Sequence, residues 1–442
     1  MGRHTILTAL IPVLLAGAAA AQSREEKVRN DRKKVEAGGF WLYNDVPRAF
    51  AQARASGKPI VAVLRCLPCE ECVKLDDQII DADPRIRRLL EEFVRVRIVS
   101  TNGLDLSLFQ FDTDQSFAVF LLNADGAIYG RFGTRSHRTE WADDVSVEGL
   151  AKALTGALAL HKAYPDNQGD LAGKRGPAPA FATPETFPSF KGQYRSVLDY
   201  EGPVVKSCIH CHQIGDAMRD LAFSRKEPLP EDLLFPYPHP KIIGLILDPR
   251  ERATVLRVEP GSDAERAGFR PGDAIRKLAG QPLLSIADVQ WVLHGAAADG
   301  AEIKAEVLRD GQPVSLVLRL PQGWRQRGDL SWRASTWGLR QRALGGMLLA
   351  DLPDEERRRL GLSAGSTALR VEHVGQYPPH NLALRAGVRK GDVLVAYNDR
   401  NDLLRETDVI AHALRTNAPG RKVTLTVLRD GKRHSFDFIF PG

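Results

Sequence analysis

The chain has 442 residues, 43% hydrophobic and 26% charged, enough for about three domains and too rich in apolar side chains to be disordered throughout. Its net charge of +6 comes from interspersed Arg, Lys, Asp and Glu. No basic run interleaved with aromatics occurs, so a nucleic-acid partner is not expected.

Residues 1–21 pair Arg3 and His4 with an apolar run and end on small residues, Ala19 and Ala21 making an A-x-A site. This pattern predicts a cleaved signal peptide and a periplasmic or secreted protein. The run is too short to anchor in a bilayer, and no later segment is apolar enough for a membrane span. Residues 22–39 form a charged lead-in, mobile or helical, closing on Gly38-Gly39.

Residues 40–164 read as one α/β unit. The stretch 46–59 has helical spacing, and "IVAVL" from Ile60 is an uninterrupted apolar run, as in a buried parallel strand. "VKLDDQIID" and "PRIRRLLEEF" read as helices, and "VRVRIV" as a further strand. "FAVFLLNADGAIYGRFG" turns at Asp125-Gly126 as a hairpin, and an amphipathic helix from Val147 closes the unit. Residues 165–240 are rich in Pro and Gly with little periodicity, which predicts a linker.

All five cysteines are clustered: Cys66, Cys69 and Cys72 after the first strand, Cys208 and Cys211 in the linker. Such clustering reads as redox or ligand chemistry rather than as staples between distant segments. With "GKPIVAVL" before them and "VKLDD" after, the resemblance to thioredoxin-like proteins implies Cys69 at a helix start as nucleophile, its thiolate favoured by the unpaired N–H groups there, and Cys72 as its resolving partner. Cys66 adds a third thiol, which permits alternative disulfides or a thiolate metal site.

The C-terminal part repeats itself. "AGFRPGDAIRKL" from Ala267 returns as "AGVRKGDVLVAY" from Ala386, and "VLRDG" from Val307 returns at Val427. Asp288 and Asp408 occupy matching places, so two copies of one α+β domain are predicted, over residues 241–322 and 336–442.

On these residues each copy resembles bacterial PDZ domains, the stretch "GSDAERAGFRPGD" being its specific part. The resemblance implies binding of protein or peptide C-termini by strand addition. The implied contacts are Gly244, Leu245, Ile246 and Leu247 in copy one, and Gly346, Met347, Leu348 and Leu349 in copy two. Such domains often follow a trypsin-like protease, but the trypsin-type G-N-S-G-G nucleophile motif is absent, and the one G-x-S-x-G string, Gly361 to Gly365, lies within the second repeat copy. A serine protease is therefore not expected.

"GKPIVAVL", the Cys69-Glu70-Glu71-Cys72 pair and "VKLDD" resemble thioredoxin-like proteins, whose redox cysteines sit between a strand and a helix. The proline that such proteins place opposite the cysteines is missing near Phe117-Ala118. The whole arrangement resembles bacterial thioredoxin-like/PDZ (seleno)proteins, in which Cys72 would match a selenocysteine. Cys208, Cys211 and His212 spell C-x-x-C-H, which resembles c-type haem attachment, with His239 or Met218 as the second axial ligand. A zinc-type site or a plain disulfide are the alternatives there. No separate metal site is predicted.

The sequence therefore predicts an α/β thioredoxin-like sandwich, a Pro-rich C-x-x-C-H segment and two α+β PDZ domains. The function expected of it is an exported thiol-disulfide redox protein with covalently attached haem c, an unknown redox partner and PDZ modules that dock partners. A non-enzymatic PDZ adaptor with structural cysteines, or an envelope metal-handling protein, are the alternatives.

Overall fold

The computed structural model describes residues 23–65, 83–115, 117–134 and 144–441. The signal segment and Cys66, Cys69 and Cys72 lie outside the described residues. The lead-in is a helix, α1 (Arg24–Gly38), started by Ser23 and Glu26 in a reciprocal capping box and stopped by Gly39 at φ +62°. It is held to the body by Asp31, 2.6 Å from the buried Arg65, and by Arg29, which donates to the Tyr200 and Gly202 carbonyls.

The N-terminal domain follows as β1 (Leu42–Tyr43), α2 (Val46–Ser56), β2 (Ile60–Arg65), α3 (Pro84–Leu90), β3 (Val94–Ile98), β4 (Phe117–Leu122), β5 (Ile128–Thr134) and α4 (Val147–Lys162). Its sheet runs β1-β3-β2-β4-β5, with β1, β3 and β2 parallel and the hairpin β4–β5 antiparallel. Central β2 is buried along its whole length, which is why its sequence shows no polar alternation. Val61 and Val63 join Ile86, Leu90, Leu150 and Leu154 in one core, and Ile60, Ala62 and Leu64 join Ala49 and Ala53 in the other.

Residues 165–240 are not a loose linker. They carry α5 (Cys211–Ser224) and a core of their own, in which Phe187, Phe190, Ile209, Ile214 and Ala217 pack with Leu106 of the N-terminal domain. Aromatic side chains spaced irregularly between prolines bury apolar area without a helical or strand period. The segment is a folded strap laid across the N-terminal domain.

The first repeat copy contains β6 (Leu245–Leu247), β7 (Val255–Val258), β8 (Ala274–Leu278), β9 (Gln281–Pro282), α6 (Ile286–Gly295), β10 (Ala301–Arg309) and β11 (Gln312–Leu320). The second contains α7 (Thr336–Leu344), β12 (Met347–Asp351), β13 (Leu369–Val374), β14 (Val393–Tyr397), α8 (Glu406–Thr416), β15 (Lys422–Arg429) and β16 (Lys432–Ile439). Its sheet is continuous, β12-β13-β14-β15-β16; copy one splits into β6-β7 and β11-β10-β8-β9, joined by a bridge between Thr254 and Ala274.

The repeated motifs turn out to be partners of one another. Asp273 pairs with Arg309 and Asp392 with Arg429, each at 2.7 Å, so the "GD" of one block meets the "LRDG" of the other. The hairpin turns place Asp310 and Gly311 at φ +49° and +80°, and Asp430 and Gly431 at +50° and +74°, the geometry of two-residue hairpin loops.

Helix α6 is enclosed on almost every side. Asp288 on α6 accepts the Arg131 N–H of β5 at 3.0 Å and the Leu284 N–H at 2.8 Å, and pairs with the Lys174 ammonium of the strap at 3.1 Å. Trp291 donates from Nε1 to the Gly173 carbonyl at 2.9 Å, and the Arg131 guanidinium lies 3.8 Å from its ring centre. Gly130 of β5 fits closely here: a Cβ on it would come within 2.8 Å of the Asp288 carboxylate. Copy one is thus docked on the N-terminal sheet through its own long helix.

Candidate peptide-docking sites and the cysteine motif

A strand can be added to a sheet only at an edge whose N–H and C=O groups are unpaired. β6 and β12 are the edge strands of their sheets, each paired with a strand, β7 or β13, on one side only. Both are entered through a glycine in the left-handed region, Gly244 at φ +76° and Gly346 at +89°. Neither tolerates a side chain: a Cβ on Gly244 would meet Ser262 at 2.2 Å, and one on Gly346 the His380 carbonyl at 1.8 Å. The residues expected from sequence therefore come together as one turn and strand in each copy. Leu245, Leu247, Met347 and Leu349 point into the core, while Ile246 and Leu348 are half-exposed.

Sequence reasoning missed what faces these strands. In copy one the Tyr237 backbone runs along α6: its N–H donates to His294 Nδ1 at 3.4 Å, and Gln290 Nε2 donates to its carbonyl at 3.3 Å. The Tyr237 and His294 rings stack with centres 4.0 Å apart. Burial, together with the positive charge of Arg325, Arg333 and Arg131, pushes the His294 imidazole down to about 3, so it is the neutral acceptor this contact needs.

In copy two the Leu349 N–H donates to Glu406 Oε1 at 2.8 Å, from strand β12 across to the first residue of α8. Arg340 of α7 holds the same carboxylate with two hydrogen bonds, Nε to Oε1 at 2.9 Å and Nη2 to Oε2 at 2.6 Å. Nothing in "TWGLRQRAL" sets Arg340 apart from the arginines around it, so only the fold could identify the pair.

The C-x-x-C-H motif is embedded in the junction between strap and N-terminal domain. Ile209 donates its N–H to Asn102 Oδ1 at 2.8 Å, and its carbonyl accepts the Thr101 hydroxyl at 2.8 Å. Asn102 also donates to the Ser207 carbonyl at 3.0 Å. Cys208 is buried, and burial pushes its thiol up to about 11, the opposite of a reactive or metal-ligating cysteine. Cys211 packs beside the core of Leu64, Phe111 and Ala118. The space left between Leu64, Arg65, His210 and Cys211 is about 10 Å³.

Haem does not fit these residues. His239, the expected second ligand, is buried at the start of a short helical turn, with Nε2 3.2 Å from Asp144 and Nδ1 accepting the Lys241 N–H. His212 stacks on His210 and lies 3.7 Å from Asp216. Among the described residues no group of three or more His, Cys, Asp or Glu could hold a metal ion.

Comparison with known proteins agrees with this division of the chain. A thioredoxin-like family matches residues 41–124, and PDZ domain families match residues 231–320 and 379–429. A probable periplasmic serine endoprotease, DegP-like, of Pseudomonas fluorescens is 29% identical over 187 residues, covering 42% of this chain and 37% of its own. Its counterpart in Pseudomonas putida is 30% identical over 195 residues, covering 43% and 38%. The periplasmic pH-dependent serine endoprotease DegQ of Escherichia coli is 30% identical over 162 residues, covering 36% and 31%. A solved HtrA-type protease AlgW with a decapeptide is 18% identical with a TM-score of 0.20, covering 32% of this chain and 50% of its own, too slight a likeness to argue from.

These relatives correct the main expectation drawn from the cysteines. The relatives named above are described as serine endoproteases of the periplasm, not as thiol-redox, haem or selenocysteine proteins, and the burial of Cys208 agrees. The chain spans less than two fifths of the length of the curated relatives it matches. Their periplasmic location is the one expected from the N-terminal residues, and among the described residues no helix is long and apolar enough to cross a membrane. The chain carries an N-terminal thioredoxin-like domain and two PDZ domains.

Proposed function

We propose that this protein is a periplasmic docking protein that captures polypeptide ends through its PDZ domains, with the thioredoxin-like domain and the strap as the rigid platform that holds them. The observation that carries this reading is the repeated edge strand entered through a left-handed glycine, at Gly244–Leu247 and Gly346–Leu349. Backbone N–H groups at such a turn suit a carboxylate, and the exposed edge suits an extended chain. Docking rather than proteolysis is proposed because the trypsin-type G-N-S-G-G motif is absent from this sequence and the domain preceding the PDZ copies is thioredoxin-like.

The test is fluorescence anisotropy on the full chain with a decapeptide pool of randomised, free C-termini and the same pool amidated. Docking predicts binding of the free acids, at least tenfold weaker binding of the amides, and loss of binding in Gly346→Ala/Gly244→Ala. Equal binding of acid and amide, or no binding at all, overturns the reading.

A further inference from the structure

The two PDZ edges are not equally available. In the second domain the free edge of β12 is already engaged by the chain itself. Leu349 offers its N–H to Glu406, and Glu406 is nearly sealed, 5% exposed, beneath the bidentate Arg340 of α7. Leu339, Ala343 and Leu344 of α7 share one core with Leu349 of the strand and with Ile410, Ala413 and Leu414 of α8. These α8 residues follow Glu406 at helical spacing and therefore form the face that looks toward β12. The Arg340 carbonyl, in the middle of the same helix, accepts the Gly346 N–H at 3.0 Å where the helix is capped. One segment thus supplies an oxygen to the glycine turn, a cation to the groove carboxylate and apolar cover to the groove walls, which are the three things a docked peptide end would supply.

Helix α7 is also tethered independently of the groove. Just before it, Arg333 pairs with Asp112 and Asp114 of the thioredoxin-like domain at 2.7 and 3.1 Å, and the Ser335 N–H and hydroxyl donate to Asp114. After it come Gly345 and Gly346, both at positive φ, with their carbonyls accepting the Ala383 and Gly375 N–H groups, so the glycine turn stays with the domain when the helix moves about it. A helix fixed at its start and hinged at its end can leave the groove while staying attached.

We propose that α7 is a built-in stand-in for the ligand of the second PDZ domain. We further propose that the ligand displacing it is a polypeptide end with an apolar last residue, a free carboxylate and a lysine or arginine third from the end. This rests on the docking function proposed above. On a strand added antiparallel to β12 with its end at Gly346–Met347, the third residue from the end faces Leu349, and so Glu406. When α7 leaves, the Glu406 carboxylate loses the bidentate Arg340 in a largely desolvated site. A ligand cation restores the pairing, a neutral residue leaves the charge unpaired, and an acidic residue repels it.

The experiment compares three decapeptides with a free C-terminal leucine and Lys, Ala or Glu third from the end, titrated into the full chain by fluorescence anisotropy. The lysine peptide binds at least tenfold tighter than the glutamate peptide, with alanine between. In Arg340→Met/Glu406→Gln the latch is weakened without stranding a buried charge. All three peptides then bind more tightly, because the open form is more populated, and their ranking collapses. Leu339→Ala, which thins the apolar face of α7 and leaves both charges, tightens binding of the lysine peptide severalfold and keeps the test decisive if the double variant folds poorly. Equal wild-type affinities, or no gain in either variant, overturn the proposal. If no peptide binds any form, the docking function fails; the latch is then read alone by hydrogen exchange. Leu339→Ala must speed exchange of the α7 amides and the Leu349 amide at least tenfold while β14 and β15 stay protected, and unchanged exchange refutes it.

Discussion

Asp288 is the residue on which the union of the thioredoxin-like domain and the first PDZ domain depends. Its carboxylate, 1% exposed, faces the equally buried Lys174 ammonium at 3.1 Å and accepts two backbone N–H groups, from Arg131 and Leu284. Asp288→Ala removes the counter-charge of a buried lysine and leaves two donors unsatisfied. Breaking a buried pair from one side costs about 3–5 kcal/mol, and the orphaned N–H groups keep the loss at the upper end of that range. Lys174→Met/Asp288→Asn removes both charges and retains an amide oxygen for the donors, so its cost is about 1–2 kcal/mol. Burial already holds the Lys174 ammonium below its ordinary 10.5, and Asp288 opposes that shift. In Asp288→Ala the Lys174 ammonium loses the charge that opposes this lowering, so the unfolded state binds the more protons and the deficit shrinks as pH rises toward 10.5, where the unfolded lysine also loses its proton. Guanidinium unfolding at pH 7 and 9.5, followed by far-UV circular dichroism, measures all three proteins. A loss below 1 kcal/mol in Asp288→Ala, or equal losses in the single and double variants, refutes the argument.

Other consequences can be measured on the same protein. Gly130→Ala, whose Cβ would come within 2.7 Å of Leu284 and 2.8 Å of Asp288, should cost about 1–3 kcal/mol and loosen the same contact, seen as earlier unfolding of the first PDZ domain. Burial pushes the His210 imidazole down to about 4, with His212 and Arg24 adding to the shift. Its contribution is present above pH 6.5 and is lost as pH falls toward 4, worth about 3 kcal/mol in full; His210→Asn should flatten that part of the stability profile. With its thiol raised to about 11, Cys208 should be alkylated by iodoacetamide at pH 7 at least ~100-fold more slowly in the folded chain than after unfolding, read by peptide mass spectrometry. Comparable rates would mean that the C-x-x-C-H segment is open to solvent.

Much of the architecture was legible in local pattern. The uninterrupted run at Ile60 could only be a strand covered on both faces, and Asp125-Gly126 between two apolar runs had to turn a hairpin. The repeated "GD" and "LRDG" blocks marked two copies of one domain, because hairpin turns and left-handed glycines demand those residues wherever the fold recurs. The strap escaped such reading: Phe187, Phe190 and Ile209 bury their side chains against partners far away in the chain, with no period to betray them. The cysteine motif misled for a related reason. Its spacing states which groups are adjacent, whereas reactivity depends on solvent access, and the clamp of Thr101 and Asn102 on Ile209 buries Cys208.

The sequence by itself determined the order of the modules, their central strands and turns, and the two glycine-led edge strands, since these follow from side-chain period and backbone sterics over a few residues. Tertiary structure alone decided that α6 is walled in by the thioredoxin-like domain and that Arg340 of α7 closes the second groove through Glu406. Those outcomes depend on charges and carbonyls brought together from distant parts of the chain, where only the desolvation of the folded state makes one arginine among many matter.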